Sequence, residues 1–201
     1  GFYAPASLNR QLASLYITGN RKVDATFQLE QLIQKMPDDV EARHRYAKLL
    51  SSNNDVNAAL HQLEPAVSIP AISKKEKSIK SDALFTLGKL QEQQGSKKQA
   101  LSNYQEAIAL NPKNYDAILA AGILMAGNGN LNEAEKLLLK AELVFTSNFI
   151  LENNLAVIYL TSRNYSKALE HLNKMQVIEP NNSDVKYNII MTRFALGYQH
   201  D

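Results

Sequence analysis

Four histidines, His44, His61, His171 and His200, are the side chains best suited to acid–base work or metal ligation. No two of them are four apart and no HExxH run occurs, so no helix face offers a paired zinc site. The chain has no cysteine, which excludes disulfides, thiolate catalysis and cysteine–zinc sites but identifies no compartment. The carboxylates are scattered, with no constellation that suggests paired acid–base work. Gly127-Asn128-Gly129-Asn130 looks superficially like a phosphate loop, but no Lys-Ser/Thr pair or third glycine follows and no strand precedes it. It reads as a turn. Asn164-Tyr165-Ser166 and Asn181-Asn182-Ser183 match the glycosylation acceptor pattern, and chance explains both. The expectation is a chain with no catalytic, cofactor-binding or metal residue, and hence not an enzyme. His61 and His171 read as surface or packing residues, and His44 as a partner contact.

Composition points the same way. The 201 residues are 45% apolar and 21% charged, as in an ordinary soluble folded protein. A net charge of +2 gives no electrostatic case for nucleic acid or an anionic membrane surface. No apolar run approaches the roughly 18 residues of a membrane span; the longest, Ala117 to Ala126, is broken by Gly122. Lys74 to Lys80 (KKEKSIK) carries four lysines without interleaved aromatics. It reads either as a solvated extension of a helix or as a basic lip that attracts an acidic partner. The chain starts at Gly1 with no initiator methionine. Any signal peptide or lipid anchor is expected upstream.

The elements that would position a site are repeats. Ser81 to Asn114 carries Leu84, Leu87 and Gly88, then Gly95, Ala100, Tyr104, Ala107 and Pro112. Downstream, Ile118, Ala121, Gly122, Met125, Gly129, Ala134, Leu138 and Ala141 repeat the spacing, and so do Leu155, Ala156, Tyr159, Ala168, Leu172, Met175 and Pro180. Upstream the same frame takes in Leu12, Ala13, Tyr16, Ala25, Leu29, Leu32 and Pro37, then Tyr46, Ala47, Leu50, Ala59, Leu63 and Ala66, with Pro70 one place early. The spacing resembles the 34-residue tetratricopeptide (TPR) pattern of a large residue, L-G, A-x3-F/Y, A and P. Gln91 and Thr146 depart from it, where an aromatic and the closing proline are usual.

The resemblance implies an all-α fold: an α-solenoid, a right-handed superhelix of about five helix-turn-helix repeats with a C-terminal capping helix. The whole of 1–201 is expected to be one array, with repeats at 6–39, 40–73, 81–114, 115–148 and 149–182, an insertion at 74–80 and the cap at 183–198. Small residues such as Gly88, Ala100 and Ala107 let paired helices approach. Gly95 or Asn20 can supply a left-handed turn residue. Pro112 and Pro180 cannot continue a helix.

In this family the first helix of each repeat lines the concave face, and positions 2, 5, 9 and 12 commonly contact a ligand peptide. Carried onto this chain, that implies a groove of Arg10, His44, Lys48, Phe85, Lys89, Leu119, Ile123, Asn153, Val157, Leu160, Tyr187, Met191 and Phe194. Its first half is polar with a basic lean, and its second half largely apolar. The helix AILAAGILMA is apolar on every side, as in a helix buried on every side. A partner peptide or helix, a second copy of the chain or the terminal helix would cover it; alternatively these are core residues of a tight stack. The chaperone-type carboxylate clamp matches poorly, because Arg10 and Ser14 stand where Lys and Asn are needed. The resemblance thus implies a non-catalytic scaffold with a protein or peptide partner, or a homodimer. The repeat style looks like bacterial envelope proteins, either TadD-like pilus-assembly lipoproteins or the TPR subunits of cytochrome c maturation. A periplasmic or outer-membrane-anchored setting is expected.

Overall fold

The computed structural model describes residues 5–146 and 148–197; Gly1, His200 and Tyr198, the last residue of the expected cap, lie outside them. Among the described residues there are eleven helices and no strand: α1 Ala6–Thr18, α2 Lys22–Lys35, α3 Val40–Ser52, α4 Val56–Ser68, α5 Lys74–Gln93, α6 Lys97–Leu110, α7 Tyr115–Gly127, α8 Leu131–Val144, α9 Phe149–Thr161, α10 Tyr165–Ile178 and α11 Ser183–Ala195. The helices fall into two compact units, residues 1–114 and 115–201.

In the first unit α1 pairs with α2, α3 with α4 and α5 with α6, while α2–α3, α4–α5 and α3–α5 contacts join the pairs. The core alternates small and large side chains. Ala13, Ala25, Leu29, Leu32 and Ala42 form one cluster, and Ala47, Ala59, Leu63, Ala83, Leu87 and Leu90 a second. Close approach is obligatory at Gly88, where an added Cβ would lie 2.6 Å from the Tyr104 ring. Pro65 sits inside α4, a position the proline spacing does not announce. A capping box starts α5: Ser73 Oγ accepts from the Glu76 N–H, and the Glu76 carboxylate accepts from the N–H groups of Ser73 and Ile72. Residues 74–80 therefore form the first two turns of α5.

In the second unit α7 pairs with α8 and α9 with α10; α8–α9, α7–α9 and α10–α11 contacts complete it. Gly122 has the role of Gly88, since a Cβ there would lie 2.7 Å from Leu138. Ala156, Leu172, Met175, Val185 and Ile189 seat α11 on the α9–α10 pair.

One backbone device recurs in the turn inside each helix pair. Asn20, Asn54, Gly95, Gly129 and Arg163 have φ of 54°, 62°, 82°, 85° and 58°. They stand 34 residues apart, or 41 where the seven-residue insertion intervenes. Glycine and asparagine tolerate this left-handed conformation; arginine adopts it at a cost of about 1–2 kcal/mol.

Candidate functional site

Two surfaces, one per unit, stand out. In the first unit a cleft of about 690 Å³ opens along α3 and α5. Its α3 lining is Glu41, His44, Arg45, Lys48, Leu49 and Ser52, a single helix stripe by their three- and four-residue spacing. Lys75, Ile79 and Asp82 form the matching stripe of α5, and Ile17, Asn20 and Lys22 close the end.

The cleft's polar groups are unequally committed. Arg45 pairs with Glu41 at 2.6 Å and donates to Ser14 Oγ. Lys22 donates to Ser52. His44 Nε2 meets Thr86 Oγ1 at 2.8 Å. Burial, with the charges of Lys48 and Arg45, lowers the His44 pKa to about 4, so the ring is neutral at pH 7. Asp82 accepts from Asn114. Lys48 and Lys75 are exposed and have no ion pair among the described residues.

The second unit holds an apolar slot of about 340 Å³ between α7, α8 and α9, lined by Gly122, Ile123, Leu138, Asn154, Val157 and Ile158 among others. Ile123 and Val157 are 46% and 48% exposed. The Asn154 Nδ2 is shielded from solvent and has no acceptor among the described residues. Leaving such a donor unpaired costs about 1–3 kcal/mol. On α11, Tyr187, Ile190, Met191 and Phe194 are exposed by 47–70% and share one helix stripe, while Val185, Ile189 and Thr192 are buried.

The sequence-derived groove residues divide accordingly. His44 and Lys48 meet in the first cleft, and Ile123 and Val157 in the second slot. Arg10 is paired with Asp39 and borders a different cavity of about 440 Å³. Phe85 is half-buried against the Tyr104 ring at 5.9 Å, and Lys89 is exposed outside the cleft lining. Asn153 is exposed and Leu160 half-buried, neither lining the slot. Tyr187, Met191 and Phe194 are exposed on α11. Leu119 departs from its expected place: it is 7% exposed, a buried residue and not a presented one. Because α7 is apolar all round, spacing alone did not say which of its leucines and isoleucines face outward.

A buried charge network was also missed. Glu152 has no exposure, and its Oε2 lies 2.6 Å from Nδ1 of His171, itself 5% exposed and stacked on Tyr159. Lys174 pairs with Glu142, and its Nζ lies 3.7 Å from the same Glu152 oxygen. Burial opposes the Lys174 charge, but the Glu142 hydrogen bond and both carboxylates outweigh it and raise its pKa. Donor atoms of Glu142, Glu152 and His171 lie within 4.8 Å of one another, a set that could hold a metal ion. The Lys174 ammonium already supplies the charge that a cation would bring. The network ties α8, α9 and α10 together and lines no part of the slot. Its signal was a glutamate directly after the apolar start of α9, FILE.

Among the described residues no helix is long and apolar enough to cross a membrane. Residues 91–146 match the tetratricopeptide repeat family. Over 122 residues the chain is 31% identical to the human Protein O-mannosyl-transferase TMTC1, covering 57% of this chain and 13% of that protein. The chain thus spans about an eighth of the length of that curated relative. Similar solved structures include a tetratricopeptide repeat protein from Parabacteroides merdae (TM-score 0.74, 16% identity, 96% of this chain and 73% of that one). MamA from Desulfovibrio magneticus is similar at TM-score 0.71, 16% identity, 89% and 97% coverage. YrrB, a TPR protein with an unusual peptide-binding site, follows at 0.70, 21% identity, 87% and 87%. The repeated helix pairs, the recurring left-handed turns and these likenesses together show the tetratricopeptide repeat fold, with residues 91–146 matching the family itself.

Proposed function

We propose that the protein is a non-catalytic protein-interaction scaffold that holds an apolar segment of a partner on its second unit. The observation that carries this reading is the α7–α9 slot: exposed Ile123 and Val157 flank a buried amide donor that lacks an acceptor. A peptide would cover the aliphatic groups in a helix-in-groove or extended-peptide mode. The peptide-binding site of YrrB, on the same fold, supports the reading. Asn153, Leu160, Tyr187, Met191 and Phe194 remain proposed contacts on the second unit, and Arg10, His44, Lys48, Phe85 and Lys89 proposed contacts on the first. Leu119 would act as a core residue beneath. The finer assignment, an assembly factor of a bacterial pilus or secretion system, rests on repeat style alone.

The test is a photo-reactive amino acid placed at Val157, with Glu170 on α10 as the exposed control. A discrete protein cross-linked from Val157 and not from Glu170 is the expected result in source cells. Equal, diffuse labelling from both positions would remove the slot as a partner site.

The exposed stripe of α11 favours a second reading, self-association through Tyr187, Ile190, Met191 and Phe194. Sedimentation velocity at high concentration decides it. A clean monomer argues against a homodimer.

A further inference from the structure

We propose that the first-unit cleft is a separate site for an acidic segment of a partner, in which carboxylates flank one aliphatic side chain. This inference rests on the scaffold reading but not on the second-unit slot.

The cleft is an unusual feature because the insertion builds one wall of it. Two of its three α5 residues, Lys75 and Ile79, belong to residues 74–80. They reach it because the Ser73–Glu76 capping box starts α5 early. Without those two turns α5 would contribute only Asp82.

The chemistry of the lining then names the ligand. Ile17, Leu49 and Ile79 supply the apolar part of the lining. Around it stand four basic side chains, Lys22, Arg45, Lys48 and Lys75, against two acids, Glu41 and Asp82. The two acids are already engaged, with Arg45 and Asn114. Lys48 and Lys75 rise from facing helices with no counter-ion among the described residues. A carboxylate entering from a ligand would meet the ammonium groups of Lys48 and Lys75, which are not committed to any ion pair among the described residues. His44, held on Thr86 and neutral at pH 7, adds a polar surface without charge. At 690 Å³ the cleft falls within the ~300–1,000 Å³ range of ligand sites. Charge complementarity of this kind sets specificity and on-rate.

The experiment uses the full chain and fluorescence anisotropy. Probes are a labelled acidic peptide, DEDLEDE, its amide counterpart NQNLQNQ, and a single-stranded oligonucleotide of matched charge. The acidic peptide is expected to bind at 50 mM NaCl, at least about tenfold more tightly than the amide peptide. Raising salt to 500 mM should weaken it by a similar factor, as screening requires. Lys48→Glu with Lys75→Glu should abolish the preference while leaving the melting temperature unchanged, since both side chains are exposed. Lys48→Gln with Lys75→Gln, a milder change, should weaken binding less. Ile123→Asp with Val157→Asp should leave this peptide's affinity intact, which separates the two sites. Equal binding of both peptides, an unaffected charge-reversal variant, or tighter binding of the oligonucleotide would each overturn the proposal.

Discussion

His44 shows how a groove residue is tuned by its neighbours. Burial and two adjacent cations lower its pKa to about 4, while an unfolded chain would titrate near 6.5. Between those values the unfolded state binds more protons, so stability rises with pH through the window and falls on acidification. Each unit of depression is worth about 1.4 kcal/mol. Urea midpoints at pH 4.5 and 7 should therefore differ more for the wild type than for His44→Gln; equal differences would show that His44 is not the titrating group. Arg163 is a second residue-scale case. Its left-handed φ of 58° is strained, so Arg163→Asn should raise stability by about 0.5–1 kcal/mol in chemical denaturation, and a loss would contradict the strain. Legibility differs between these two. The five turn positions are equivalent in the repeat frame, so the left-handed site at Arg163 was in principle readable from Gly95 and Asn20. The protonation of His44 was not: Lys48 and Arg45 are its neighbours on α3, but the burial that leads the shift exists only once the helices pack.

At the scale of helices, the small residues carry the fold. Gly88 and Gly122 leave room for Tyr104 and Leu138, and a methyl at either would sit within 3 Å of them. Ala is the better helix former by about 1 kcal/mol, but overpacking costs about 1–3 kcal/mol. Gly88→Ala and Gly122→Ala should each lower the urea midpoint; a gain would show that the helix pairs are not in contact there. The start of α5 is a further test. Ser73→Ala removes one arm of the capping box and should loosen the first two turns, with a loss of about 0.5–2 kcal/mol. Faster amide exchange at residues 76–80 is the expected sign, and unchanged exchange would contradict it. The helix pairs were legible because 34-residue spacing of small and large residues constrains them. The insertion was legible as a break in phase, and its capping box S-x-x-E was present in the sequence. What spacing could not give was its consequence, since a cleft exists only when two separate stripes face each other. The apolar α7 hid its orientation for the opposite reason: with no polar side, periodicity carries no information, and Leu119 and Ile123 look alike.

Across the whole molecule, stacked small–large pairs carry the stability, and exposed surfaces are the proposed sites of interaction. The first unit offers a basic cleft, and the second an apolar slot and a bare α11 stripe. The division into a polar half and an apolar half was visible in the sequence-derived groove, although individual members moved: Leu119 went to the core, and Lys75 and Ile79 entered from a segment outside the repeat frame. The network of Glu142, Glu152, His171 and Lys174 fastens three helices and lines neither the cleft nor the slot. The slot is tested by panning a random peptide display library against the wild type and against Ile123→Asp with Val157→Asp, with circular dichroism on both. Apolar or amphipathic peptides enriched by the wild type and lost by the variant, with unchanged helical dichroism, are the expected result. Equal enrichment by both proteins, or a variant that unfolds at room temperature, would contradict it by showing that the slot is not a binding surface or that its exposed residues belong to the core.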